Sequence, residues 1–160
     1  MTSKLVGKRH ERTELAVIPP EISREDAGSG RVGTVAYPYR VYEATVTIER
    51  PFMSERTDRF VASVDRSRRL VVRADGVPTV ETREIEDVLV LPTELSPEQS
   101  RAKARHSVLQ WALRRYSLND APDIEFVREV DGYKLFWLAE RPEDDVIVDS
   151  VRGTEDPLQD

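Results

Sequence analysis

No cysteine occurs among the 160 residues of this chain. A disulfide framework, a thiolate nucleophile and any cysteine-ligated zinc or iron–sulfur centre are therefore excluded. Lysine is almost missing as well: Lys4, Lys8, Lys103 and Lys134 stand against twenty arginines. No stretch approaches the roughly 18 consecutive apolar residues of a helical membrane span. The first thirty residues are charged and carry no apolar secretory core, so a cytoplasmic protein, or an intracellular component of a virus, is expected.

What the chain has in quantity is charge. Thirty carboxylates face 24 cations, for a formal net charge of -6. Acidic excess keeps a protein soluble through self-repulsion. Arginine in place of lysine on such a surface resembles the composition of proteins from a halophilic archaeon or its virus, while a GC-rich genome, which favours arginine codons, is the alternative source of the same balance. Net negative charge also opposes general binding to the phosphate backbone outside a local basic patch, so nucleic acid is a disfavoured partner.

The segment Met1 to Glu14 is polar and without period, and reads as a flexible N-terminal arm. Leu15 to Ile18 is a short apolar run stopped by Pro19-Pro20, and Gly28-Ser29-Gly30 with Gly33 marks a loop. Val35 to Arg50 alternates as a strand with one buried face. Phe60–Asp65 and Arg69–Ala74 form two more, Val88–Leu91 a short buried one, and Thr79–Asp87 is ambiguous. Ser96, Pro97 and Gln99 make a capping box that opens a helix running to about Tyr116. On it Ala102, Leu109, Ala112, Leu113 and Tyr116 share the arc expected to face the sheet. Ala104, Val108 and Trp111 form a second apolar stripe. Ile124–Val130 and Tyr133–Glu140 read as a hairpin turning at Asp131-Gly132, followed by a strand at Asp145–Asp149. The expected architecture is α+β: an antiparallel sheet from two related meanders with one long helix packed across it. Its divisions are an arm (1–14), a first β-rich half (15–92), a second helix-plus-meander half (93–154) and an acidic tail (155–160).

Two passages echo each other. Pro20-Glu21-Ile22-Ser23-Arg24 matches Pro97-Glu98-Gln99-Ser100-Arg101, and Val64-Asp65 with Arg68 matches Val148-Asp149 with Arg152. Aromatic strand entries, Tyr37-Pro38-Tyr39 and Tyr133-Lys134-Leu135-Phe136-Trp137, lie between them, which suggests a duplicated supersecondary unit. Asp149 is placed to accept turn amides, and Gly153 to supply a permissive backbone; Arg69 stands where the second half has Gly153. The span Ser96 to Thr154, ending Val146-Ile147-Val148-Asp149-Ser150-Val151-Arg152-Gly153, resembles the PepSY-like (cystatin-like) module. That resemblance implies a binding or inhibitory role and names no catalytic residue.

Candidate chemistry is sparse. His106 has no partner at a ligand or base spacing. Glu84, Glu86 and Asp87, like Asp144-Asp145, lack a cation-binding loop pattern. Gly28–Gly33 lacks the Lys-Ser/Thr of a phosphate loop and is followed by a strand. No nucleophile elbow is present. No catalytic residue, metal site or cofactor is assigned, and the protein is not expected to be an enzyme. The Ala104–Val108–Trp111 stripe is surplus to a helix that needs one apolar face, and is the expected interface with a protein partner or a second copy. Arg66, Arg68, Arg69 and Arg73 crowd one hairpin, with Arg101, Arg105, Arg114 and Arg115 on the helix. They offer a second reading, a regulatory site for a small anion, peptide or nucleic acid.

Overall fold

The computed structural model describes residues 6–28, 32–116 and 121–158. It is mostly β, with 55% of the described residues in strands and 16% helical. The elements are β1 (Lys8–Val17), α1 (Arg24–Ala27), β2 (Val32–Arg50), β3 (Met53–Asp65), β4 (Leu70–Ala74), β5 (Glu81–Val90), α2 (Pro97–Arg115), β6 (Asp123–Ala139), β7 (Val146–Asp149) and β8 (Glu155–Pro157). The strand order is β4-β3-β2-β5-β1-β6-β7-β8, and β2 also pairs with β6. The strands β2, β5, β1 and β6 thus close into a four-stranded barrel with the others added at its flanks. The expected α+β layering of one helix over two meanders is therefore corrected. Two of its ladders, β2 with β5 and β1 with β6, are parallel rather than antiparallel.

One expectation fails and one ambiguity is resolved for the same physical reason. Lys8–Glu14 of the expected arm and Glu81–Asp87 of the ambiguous segment lie in β1 and β5, paired antiparallel from Lys8↔Val90 to Val17↔Glu81, and residues 1–5 of the arm lie outside the described residues. Neither shows apolar alternation, because cross-strand ion pairs take its place. Arg9 Nη2 donates to Asp87 Oδ1 at 2.7 Å, and Arg12 reaches Glu84 at 2.6 Å and Glu86 at 2.9 Å. The expected hairpin at Asp131-Gly132 is instead one continuous strand, β6. Asp131 spends its carboxylate on Arg40 rather than on a turn. Gly132 is needed for close packing, since a Cβ there would lie 3.1 Å from Val80 Cγ2.

The chain divides into two compact units, neither of them a contiguous half. One comprises Met1–Pro38, Thr79–Thr93 and Gly132–Asp160; the other comprises Tyr39–Pro78 and Glu94–Asp131. The first unit is cored by Val17, Ala27, Val32, Ala36, Val88, Leu135, Trp137 and Val148. Trp137 Nε1 donates to Ile22 O at 2.9 Å, so the indole fills the core with its one donor satisfied. In the second unit the long β2–β3 hairpin carries Tyr42, Ala44, Val46, Phe60, Ala62 and Val64 against α2. The helix opens with the capping box read from the sequence: Ser96 Oγ accepts from Gln99 N, and Gln99 Oε1 accepts from Ser96 N.

The face of α2 is corrected. Ser100, Ala104, Val108 and Ala112, at i, i+4 spacing, are the buried row. Ala102 is exposed and Leu113 is 45% exposed. A row of small residues lets the helix approach a hairpin whose own side chains are large, so total volume decides the face rather than the count of apolar positions.

The echo between the halves is real in the hydrogen bonds, in a register different from the one the first passages suggest. Ser23 and Ser96 both cap helices, accepting from Asp26 N and Gln99 N. This aligns Val17-Ile18-Pro19-Pro20-Glu21-Ile22-Ser23 with Val90-Leu91-Pro92-Thr93-Glu94-Leu95-Ser96. Ile18 N donates to Tyr133 O, and Leu91 N to Ala36 O. Glu21 N and Ile22 N donate to Ser150 O, whereas Glu94 N and Leu95 N donate to Arg66 O. Asp65 Oδ1 accepts from Ser67 N and Arg68 N at 3.0 Å each; Asp149 Oδ1 accepts from Val151 N at 2.9 Å and Arg152 N at 3.1 Å. Arg69 and Gly153 both adopt left-handed backbone, with φ of 62° and 75°. Only Gly153 is sterically compelled, because a Cβ there would meet Ile22 Cδ1 at 2.6 Å.

Candidate functional site

The arginines of the β3–β4 hairpin are brought together, and each already has an acceptor or ring. Arg66 donates twice to Leu95 O, at 3.1 and 2.8 Å, and lies 3.7 Å from Asp131. Arg68 Nε donates to Asp65 Oδ2 at 2.5 Å. Arg69 is 3.7 Å from Glu94, and the Arg73 guanidinium sits 4.6 Å from the Phe60 ring centroid. Asp65 itself is buried and takes three donors, so this turn is held by its own ions.

A second cation cluster was only partly visible in the sequence. Arg40, on β2, pairs with Glu129 at 2.8 Å and with Asp131, while Arg101, on α2, pairs with Glu129 and lies 4.8 Å from the Phe126 ring. Burial opposes the charge on Arg40, but Glu129 and Asp131 outweigh it and hold its pKa above the ordinary value. Arg40 and Glu129 come from strands far apart in sequence, and nothing local in either signals the pair. Next to this cluster Tyr42 is fully buried, and among the described residues its Oη, Arg40 Nε and Ser100 Oγ meet no partner in good hydrogen-bonding geometry, although the Arg40 guanidinium lies beside the Tyr42 hydroxyl. Burial raises the Tyr42 pKa, with the Arg40 charge working against that rise.

The remaining candidates lie apart. Ala104 and Val108 are core, and Trp111 is half-buried with its ring 6.3 Å from Phe60, so the expected interface stripe packs inside its own unit. Arg105 donates to Ile124 O at 3.1 Å, and Arg115 lies 3.5 Å from Asp58. His106, Arg114 and the Asp144-Asp145 pair are exposed. Among the described residues no group of three or more His, Asp or Glu is close enough to hold a metal ion. No described helix is long and apolar enough to cross a membrane. Part of the glycine-rich loop, residues 29–31, lies outside the described residues. A shallow depression of about 210 Å³ beside Gly33 and Thr34 is lined by Arg9 and Arg24, and these donate to Asp87 and to Val32 O.

The feature that sequence reading missed is the tip of the β2–β3 hairpin. Arg50 pairs with Met53, leaving Pro51-Phe52 as a two-residue loop. Phe52 has φ of 61° and is 108% exposed; Met53 is 61% exposed. Proline followed by a positive φ is the pattern of a type II turn, whose third position favours Gly or Asn. A bulky aromatic residue there carries both backbone strain and unburied apolar surface. The signal was available as Pro-Phe-Met between two charged segments, Glu49-Arg50 and Glu55-Arg56.

Comparison with family models, with curated proteins and with solved structures finds no match for this chain.

Proposed function

We propose that the protein is a non-catalytic interaction or structural subunit, and that it engages another protein through the Phe52-Met53 tip rather than through the α2 stripe. The observation that carries this reading is the doubly unfavourable Phe52, strained in backbone and stripped of burial. Aromatic residues seated in an apolar cleft are the usual energetic anchors of protein interfaces. The flanking Glu49, Arg50, Glu55 and Arg56 balance in sign, which favours a protein cleft over a polyanion. The arginine-hairpin alternative loses support, because those cations have acceptors or aromatic rings of their own chain. The helix-then-strands order α2, β6, β7 keeps the PepSY-like resemblance as a proposal of descent from a binding module. The arginine-rich, acidic composition keeps a halophilic archaeal or viral source as part of the same reading.

The test replaces Phe52 by a photoreactive phenylalanine analogue and compares it with the same analogue at exposed Val127. A protein adduct formed from position 52 alone supports the reading, and adducts common to both positions sink it. Phe52→Gly should raise stability by up to about 1 kcal/mol in chemical denaturation, because glycine accepts the positive φ. Partition of the protein onto zwitterionic vesicles, lost in Phe52→Gly, would replace the protein cleft by a lipid surface.

A further inference from the structure

We propose that β4 is a self-association edge, at which two copies of this chain pair their β4 strands antiparallel about Val72. Among the described residues β4 pairs only with β3, through Val61↔Ala74 to Asp65↔Leu70, so its outer edge offers free backbone donors and acceptors. Leu70 is 51% exposed and Val72 46%, while the alternate residue Val71 packs toward the core. An apolar edge strand is a template for another strand, and proteins that avoid pairing protect it with proline, charged side chains or very short strands. The opposite edge of the sheet is protected in that way. β8 reads Glu155-Asp156-Pro157 and is three residues long. β4, by contrast, has no proline and one charge, Arg73, whose guanidinium lies over the Phe60 ring.

The occupant follows from charge. Centring an antiparallel ladder on Val72 sets Leu70 opposite Ala74 of the second copy, and Arg69 opposite its Asp75. The exchange of copies repeats both contacts, and Arg69, whose side chain is 60% exposed and only loosely paired with Glu94 at 3.7 Å, bridges Glu94 and the second copy's Asp75, giving two ion pairs across one isologous seam. A parallel pairing of two β4 strands would instead set arginine beside arginine. The chain already contains a ladder of this self-complementary kind, since β1 and β5 are equivalent strands in the repeated bonding pattern and pair antiparallel end to end. The inference is independent of the Phe52 tip, which lies at the other end of β3.

A five-residue ladder buries little area, so the association is weak and concentration-dependent. Light scattering should show a mass rising from 18.3 kDa toward twice that value as concentration increases into the hundreds of micromolar. Val72→Lys should hold the protein at monomer mass with an unchanged melting temperature. Asp75→Arg alone should weaken the dimer at least tenfold, and Arg69→Asp together with Asp75→Arg should restore it. Aspartate tolerates the left-handed backbone at position 69, so the exchange does not strain the turn. A monomer mass at every concentration, a dimer indifferent to Val72→Lys, a charge exchange that fails to restore pairing, or growth beyond the dimer would each overturn the proposal.

Discussion

Asp149 and Tyr42 show how differently two buried polar side chains can be treated. Burial alone would push the Asp149 carboxyl up, but Lys134 at 2.7 Å and the amides of Arg152 and Val151 outweigh it and hold the pKa below the ordinary carboxylate range. A carboxyl lowered on folding contributes stability above its unfolded value of about 4, and that stability is lost as pH falls through the lowered value. Asp149→Ala should therefore cost about 3 kcal/mol near neutrality, because it removes the carboxylate that Lys134 and two turn amides share. The difference from the native chain should shrink below about pH 4, as urea denaturation across pH would show. A difference that does not change with pH would mean that packing, not charge, is lost. Tyr42 has the opposite character. Among the described residues its buried hydroxyl meets no partner in good hydrogen-bonding geometry, so Tyr42→Phe should leave stability unchanged or raise it by about 1 kcal/mol, measured in the same way. A loss of 1 kcal/mol or more would show that the hydroxyl has a partner in solution, such as an internal water.

At the scale of elements, the outcome of sequence reading depended on whether the ordering force was local. The start of α2 was legible because the capping box, Ser96 to Gln99, is a contact between neighbours. The Asp149 turn was legible for the same reason, and Gly153 indeed has the left-handed backbone it was expected to supply. β1 and β5 were not legible, because Arg9–Asp87 and Arg12–Glu84 link residues far apart in sequence, and each strand alone looks like solvated charge. The interface reading of α2 failed on volume. Leu109 and Leu113 made the larger apolar arc, but the hairpin opposite supplies Tyr42, Phe60 and Val46 and leaves room only for alanine, serine and valine. Trp111 borders that contact. Trp111→Ala should accordingly cost about 3 kcal/mol in denaturation and leave the molar mass unchanged. Unchanged stability with altered mass would return the residue to the surface.

For the whole molecule, the repeated bonding pattern explains why the expected division at residue 92 does not describe the units. In each repeat a strand, a capped helix and a strand follow in order, but the repeats differ in where they grew. The first has the four-residue α1 and the long β2–β3 hairpin; the second has the 19-residue α2 and the short β6–β7 turn. The enlarged hairpin and the enlarged helix are packed on each other, so one unit is assembled from the expanded parts of both repeats. The repeated turn pattern was legible in Val64-Asp65 and Val148-Asp149. The longer match, Val17–Ser23 with Val90–Ser96, was hidden by the stronger helical pattern just after it.

The antiparallel ladder between β1 and β5 also bears on how the chain meets the ribosome. β1 is made before β5, and Glu81–Val90, which completes its cross-strand ion pairs, leaves the exit tunnel only after β2, β3 and β4 have been synthesised. During that interval β1 cannot collapse on itself, because its length is charged and its apolar residues sit at one end. Local hairpins can form before it, whereas the barrel must wait for distant strands to arrive. A strand held by charge rather than by grease is well suited to such a delay: it stays dissolved in water until the partner that neutralises it has been translated.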